Sequence, residues 1–118
     1  MLGREKTVFN MLCMVLTDDL MFSQMVANAL PGEWSIRPAS NQQAAESSLD
    51  PQVTAVVVDL SMLIRAEELV SAAKSVGSRL IGVASHVHVS KIQAAREAGF
   101  DHVLTRSQVA DQLELIVA

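Results

Sequence analysis

Three carboxylates stand where apolar runs give way to helical spacing. Asp59 closes the run Val53-Thr54-Ala55-Val56-Val57-Val58, and Asp18-Asp19 follow Met11-Leu12-Cys13-Met14-Val15-Leu16. An acid at the C-terminal tip of a buried parallel strand lies where α/β proteins place their chemistry. Acids gathered at one rim suit a hard cation such as Mg²⁺, which takes oxygen ligands in near-octahedral geometry. They also suit phosphoryl transfer, which is mainly positioning and charge stabilisation. A plain structural role is open to each as well. Asp59 can cap the helix after it, and Asp18-Asp19 can be the N-cap and first turn of theirs.

The remaining reactive side chains point less clearly to chemistry. His86 and His88 share a loop near the same rim and His102 belongs to a later strand, without the Cys or acid partners of a zinc site. Ser85 has no evident base to activate it. Cys13 is the one cysteine, so it forms no internal disulfide, and its apolar neighbours make it a small core residue. Met11, Met14, Met21 and Met25 fit the first strand and first helix as core filler.

Strand and helix signals alternate along the whole chain, which predicts a parallel sheet with helices on both faces. The expected strands are Val8–Leu16, Glu33–Arg37, Thr54–Asp59, Arg79–Ala84 and Asp101–Leu104. The first helix carries Met21, Phe22, Met25, Val26, Ala29 and Leu30 at helical spacing and stops at Pro31-Gly32. Pro38-Ala39-Ser40 predicts a turn into a short polar helix over Asn41–Ser48, capped by Ser40 or Asn41. The third helix is expected over Met62–Val76, with Leu63, Ala66, Leu69, Val70, Ala73 and Val76 on one stripe and Gly77 at its end. Ser90 is the expected cap of a fourth helix, Lys91–Ala98, that Gly99 ends. Ser107 begins the last, whose buried face is Val109, Leu113, Ile116 and Val117.

At 118 residues, residues 1–118 make one domain that buries a single core without staples. Half the residues are apolar and 19% are charged, which excludes a disordered chain. The net charge of −4, with nine scattered Lys and Arg and only 3% aromatics, argues against nucleic-acid binding by this domain alone. No apolar run is long enough to span a bilayer, and the first ten residues show no signal-peptide pattern, so the expected location is the cytoplasm. No DNA-binding or enzymatic output segment is legible, so an effect in trans or within a larger assembly is expected.

Several segments in order resemble the receiver domain of two-component response regulators, the CheY-like family. Asp50-Pro51-Gln52-Val53 through Val58-Asp59-Leu60 resembles the strand that ends in the family's phosphoacceptor aspartate. Ala94 to Arg106, AAREAGFDHVLTR, resembles the family's stretch over helix four and strand five. Arg37-Pro38-Ala39-Ser40-Asn41-Gln42-Gln43-Ala44 resembles its second strand and the entry to its second helix. The resemblance implies a flavodoxin-like, doubly wound, five-stranded parallel sheet of order 2-1-3-4-5. It further implies a non-enzymatic phosphorelay signalling domain whose partners are proteins: a histidine kinase, an output protein or a second copy. The face of helix four, strand five and helix five is the surface it commonly uses.

The same resemblance assigns Asp59 as phosphoacceptor, with Mg²⁺ held by Asp18, Asp19, Asp59 and the carbonyl of Ser61. The apolar run aligns Thr17 with the family's first acid and Asp18 with its second; a one-residue shift would place Asp18 and Asp19 there. Two positions that grip the phosphoryl group depart from the pattern. Ala84 replaces the strand-four hydroxyl unless Ser85 substitutes, and Arg106 replaces the lysine, an exchange that keeps charge but not geometry. Val103 stands at the aromatic switch position, Ser107 replaces the following proline, and the Pro-Gly loop after the phosphoacceptor is missing. Together these favour a degenerate receiver over a working phosphoacceptor. An anti-sigma-antagonist-like module, suggested by Val57-Val58-Asp59-Leu60-Ser61, is a further alternative.

Overall fold

Side chains of a strand point alternately to the two faces of its sheet, and this chain keeps both sets apolar, as a doubly covered parallel sheet requires. In the computed structural model, which describes residues 11–117, the strands are β1 (Met11–Leu16), β2 (Trp34–Ala39), β3 (Val53–Asp59), β4 (Arg79–Ala84) and β5 (His102–Thr105). Between and after them lie α1 (Leu20–Ala29), α2 (Gln42–Ser48), α3 (Ala66–Ser75), α4 (Val89–Ala98) and α5 (Arg106–Val117). All strand pairs are parallel and the sheet order is β2-β1-β3-β4-β5. This is the expected flavodoxin-like order. The expected start of the first strand at Val8 lies outside the described residues.

Two cores follow from the alternation. Cys13, Val15, Ala55, Val57, Ile81 and Val83 meet Phe22 and Val26 of α1 and Val109, Leu113 and Val117 of α5. Met14, Leu16, Val56, Val58 and Leu80 meet Ala45, Leu69, Val70, Ala73 and Ala95 of α2, α3 and α4. Burial pushes the Cys13 thiol from 9.0 up to about 12. Between those values the folded chain keeps the proton that the unfolded chain releases, so stability falls as pH rises through the window. Urea midpoints taken across it should fall less steeply for Cys13→Ala; equal slopes would contradict this assignment.

Several local expectations are corrected. β2 runs through Pro38 to Ala39 rather than turning there. It is an edge strand, where a missing N–H is tolerated. Met21 is 80% exposed and is not core filler. α4 starts at Val89 after His88, whose side chain makes no cap, so Ser90 is not the cap. Strand five begins at His102, because Asp101 is used otherwise: its Oδ2 accepts from the Leu80 N–H at 2.8 Å.

The largest departure is α3, which begins at Ala66 instead of Met62. Two contacts hold residues 60–65 out of helix. Asp59 Oδ1 accepts from the Ser61 N–H at 3.0 Å, closing a turn directly after β3. The buried Gln42 of α2 then clamps both backbone groups of Arg65, accepting from its N–H at 2.7 Å and donating to its carbonyl at 3.0 Å. Leu63, expected on the buried stripe, is consequently 98% exposed.

Candidate functional site

The parallel sheet delivers the C-termini of β1, β3, β4 and β5 to one rim, and Asp59 is the charged side chain buried there. Its residue is 1% exposed. Its carboxylate is nonetheless well supplied with donors from its own fold. The Thr17 hydroxyl, at the end of β1, donates to Oδ2 at 2.6 Å. The Ser61 N–H and hydroxyl both donate to Oδ1, at 3.0 and 2.7 Å. Hydrogen bonds to a carboxylate are among the stronger ones in a protein interior. Thr17 completes a relay, since its oxygen also accepts from the Asp19 N–H at 3.1 Å.

Neither of the other expected acids hydrogen-bonds to Asp59 through its side chain. Asp19 is the N-cap of α1 and accepts from the Met21 N–H at 2.9 Å, while Asp18 is exposed. Asp59 does not cap α3, whose N-cap is Arg65. Among the described residues no three His, Cys, Asp or Glu side chains are grouped to hold a metal ion. The three-carboxylate cluster expected of Asp18, Asp19 and Asp59 is therefore not assembled. The Ser61 carbonyl, the expected fourth ligand, accepts instead from the Lys91 ammonium at 3.1 Å. That ammonium would compete with a metal for the oxygen, and with the acids dispersed the side chains present do not form the expected Mg²⁺ set.

The expected phosphate-gripping groups fare similarly. Ala84 ends β4, is buried, and offers no hydroxyl. The Ser85 hydroxyl accepts from the Val87 N–H of its own loop at 3.5 Å. Arg106 opens α5 with Nη2 4.0 Å from Asp59 Oδ1, outside hydrogen-bond range. Its guanidinium lies over the Phe22 ring, 5.3 Å from the centroid. Arg106 thus brings positive charge near the carboxylate while leaning on an aromatic perch.

Sequence reasoning missed three participants: Gln42, Lys91 and Phe22. Each acts on a residue distant in sequence, so no local spacing could have announced it. It also missed what surrounds the mouth. Leu20, Met21, Leu63, Val87 and Val89 are all large, apolar and exposed, and all sit on the loops and helix starts of this rim. No described helix is long and apolar enough to cross a membrane.

No protein-family model and no curated protein matches this chain. Solved structures do match it in fold. A response regulator from Thermotoga maritima superposes with a TM-score of 0.72 at 16% identity, covering 92% of this chain and 98% of that one. A Burkholderia pseudomallei response regulator, solved with a phosphorylated aspartic acid, a calcium ion and citrate, gives 0.69 at 16% identity over 87% of this chain. This chain spans 64% of that protein's length. A chain of the complex between the CheA3 P1 domain and CheY6 from R. sphaeroides gives 0.67 at 22% identity, with 82% of each chain covered. The fold is that of response-regulator receiver domains.

Proposed function

We propose that this chain is a degenerate receiver: a non-enzymatic, cytoplasmic signalling domain that acts by binding a protein partner, with Asp59 kept as an internal hydrogen-bond hub. One observation carries the reading. Both carboxylate oxygens of Asp59 are already engaged inside the fold, by Thr17 on one side and Ser61 on the other. A phosphoryl group added at either oxygen competes with the donors already on it, and by the resemblance Ala84 stands where a hydroxyl would grip it. The exposed apolar side chains around the mouth support a protein-binding role, since such residues gathered on one face mark interaction sites. A histidine kinase, an output protein or a second copy of the chain are the partners this reading allows.

Phosphorylation of Asp59 is the second reading, and Arg106 favours it by holding a cation 4.0 Å from Oδ1. Amide shifts recorded with Mg²⁺ and beryllofluoride, a phosphoryl mimic, separate the two. The degenerate receiver is expected to show no saturable shift at Asp59, Ser61 or Thr17. A saturable response that Asp59→Asn abolishes would establish the phosphoacceptor instead.

A further inference from the structure

The residues freed from helix between β3 and α3 leave a groove against α4 with two chemically different ends. One end, about 180 Å³, is walled by Leu60, Met62, Leu63 and Ile64 on one side and by Lys91, Ala94 and Ala95 of α4 on the other, with the Lys91 ammonium donating to the Ser61 carbonyl. The other, about 410 Å³, runs between α3 and α4 over Ala66, Ala94 and Ala98. It is edged by Glu67, Glu68 and Glu97 against the single guanidinium of Arg65. That guanidinium is already paired with Glu68 at 2.9 Å. Ala66 and Ala94 line both ends, so the two form one continuous channel. Small residues on the floor let a partner backbone approach closely. Along α4 the ends are separated by the step from Ala94-Ala95 to Glu97-Ala98, about 5 Å or one helical turn.

From this arrangement we infer that the α3–α4 groove is a docking site for an amphipathic helix of a partner protein, carrying one large apolar anchor and a Lys or Arg one turn away. The inference rests on the protein-binding role proposed above and gives it a surface and a partner chemistry. The anchor enters the slot beside Leu63 and Met62, where methionine adapts to different shapes. The basic residue meets Glu67 and Glu97; with Glu68 they outnumber Arg65 and Lys91, the two cations of the channel, and leave it net acidic. Helix-in-groove recognition works through this combination of spaced apolar anchors and flanking charge. The surface is distinct from the α4–β5–α5 face; on α5, Leu115 is the one large apolar side chain exposed.

A helix-biased random peptide library, displayed and selected on this chain, tests the assignment. Enriched peptides should share a large apolar residue with Lys or Arg three or four positions away. Their affinity should fall at least tenfold on Ala94→Trp, which fills the channel, and on Glu97→Lys, which reverses its charge. Both positions are exposed on α4, and thermal melts of the two variants report whether each remains folded. Failure to enrich any peptide, an acidic consensus, or undiminished binding to folded Ala94→Trp and Glu97→Lys would overturn the inference. A beryllofluoride response at Asp59 would instead remove the degenerate-receiver reading and leave this groove standing.

Discussion

Thr17→Asp is expected to lower the stability of the metal-free chain by about 3 kcal/mol and to make it responsive to Mg²⁺. Thr17 is buried, and its hydroxyl sits 2.6 Å from Asp59 Oδ2. Replacing that donor with a carboxylate removes a charge-assisted hydrogen bond and sets two like charges together where little water reaches them. The same change supplies an acid at the position where the resemblance to receivers calls for one. A cation bridging residues 17 and 59 would then relieve the repulsion it meets. At a Mg²⁺ concentration a hundredfold above its dissociation constant, binding only the folded state restores about 2.7 kcal/mol. Urea denaturation with and without Mg²⁺ reads both effects, and Asp59→Asn in the Thr17→Asp background should cancel the rescue. If Thr17→Asp is as stable as the parent, or if Mg²⁺ leaves its midpoint unmoved, Thr17 is not what separates this site from a metal site.

That experiment turns on a pairing across 42 residues, and pairings of this kind mark where the sequence stopped being readable. The layers were legible because they rest on local pattern. Continuous apolar runs in β1, β3 and β4 placed three strands, and Pro31, Gly77 and Gly99 placed helix ends. Gly99, with φ of 109°, takes a left-handed conformation that suits glycine. The position of Asp59 was legible for the same reason, being the first polar residue after a buried run. Its partners were not. Spacing says that a helix follows residue 60, but the start of α3 is set by Gln42 reaching from α2 to Arg65. Likewise the Ser61 carbonyl was assignable by resemblance to a metal, yet Lys91, thirty residues on, holds it. Asp19 shows the converse. Its capping role was open from local sequence and is the role it takes, because an N-cap needs only the backbone two residues away.

Phe22→Ala is expected to destabilise the chain by about 3–5 kcal/mol, the range for truncating a buried phenylalanine. Phe22 is fully buried among the residues that join α1 and α5 to the sheet, so little can collapse into the space it leaves. The ring has a second role, because Arg106 rests over it. Phe22→Leu separates the two: it keeps most of the apolar volume and removes the aromatic face. A double-mutant cycle of Phe22→Leu with Arg106→Ala should give a coupling of about 0.5–1 kcal/mol, the size of a partly exposed cation–π contact. Strict additivity would mean that the ring does not hold the guanidinium. The distinction bears on the site, since a receiver's lysine must follow the phosphoryl oxygens it grips. An Arg106 tied to Phe22 contributes a fixed positive field 4.0 Å from Asp59 and no directed hydrogen bond. Releasing it in Phe22→Leu should therefore shift the Arg106 side-chain resonances while leaving the Thr17–Asp59 and Ser61–Asp59 hydrogen bonds intact. Loss of those bonds together with the ring contact would show that the hub depends on Arg106 after all.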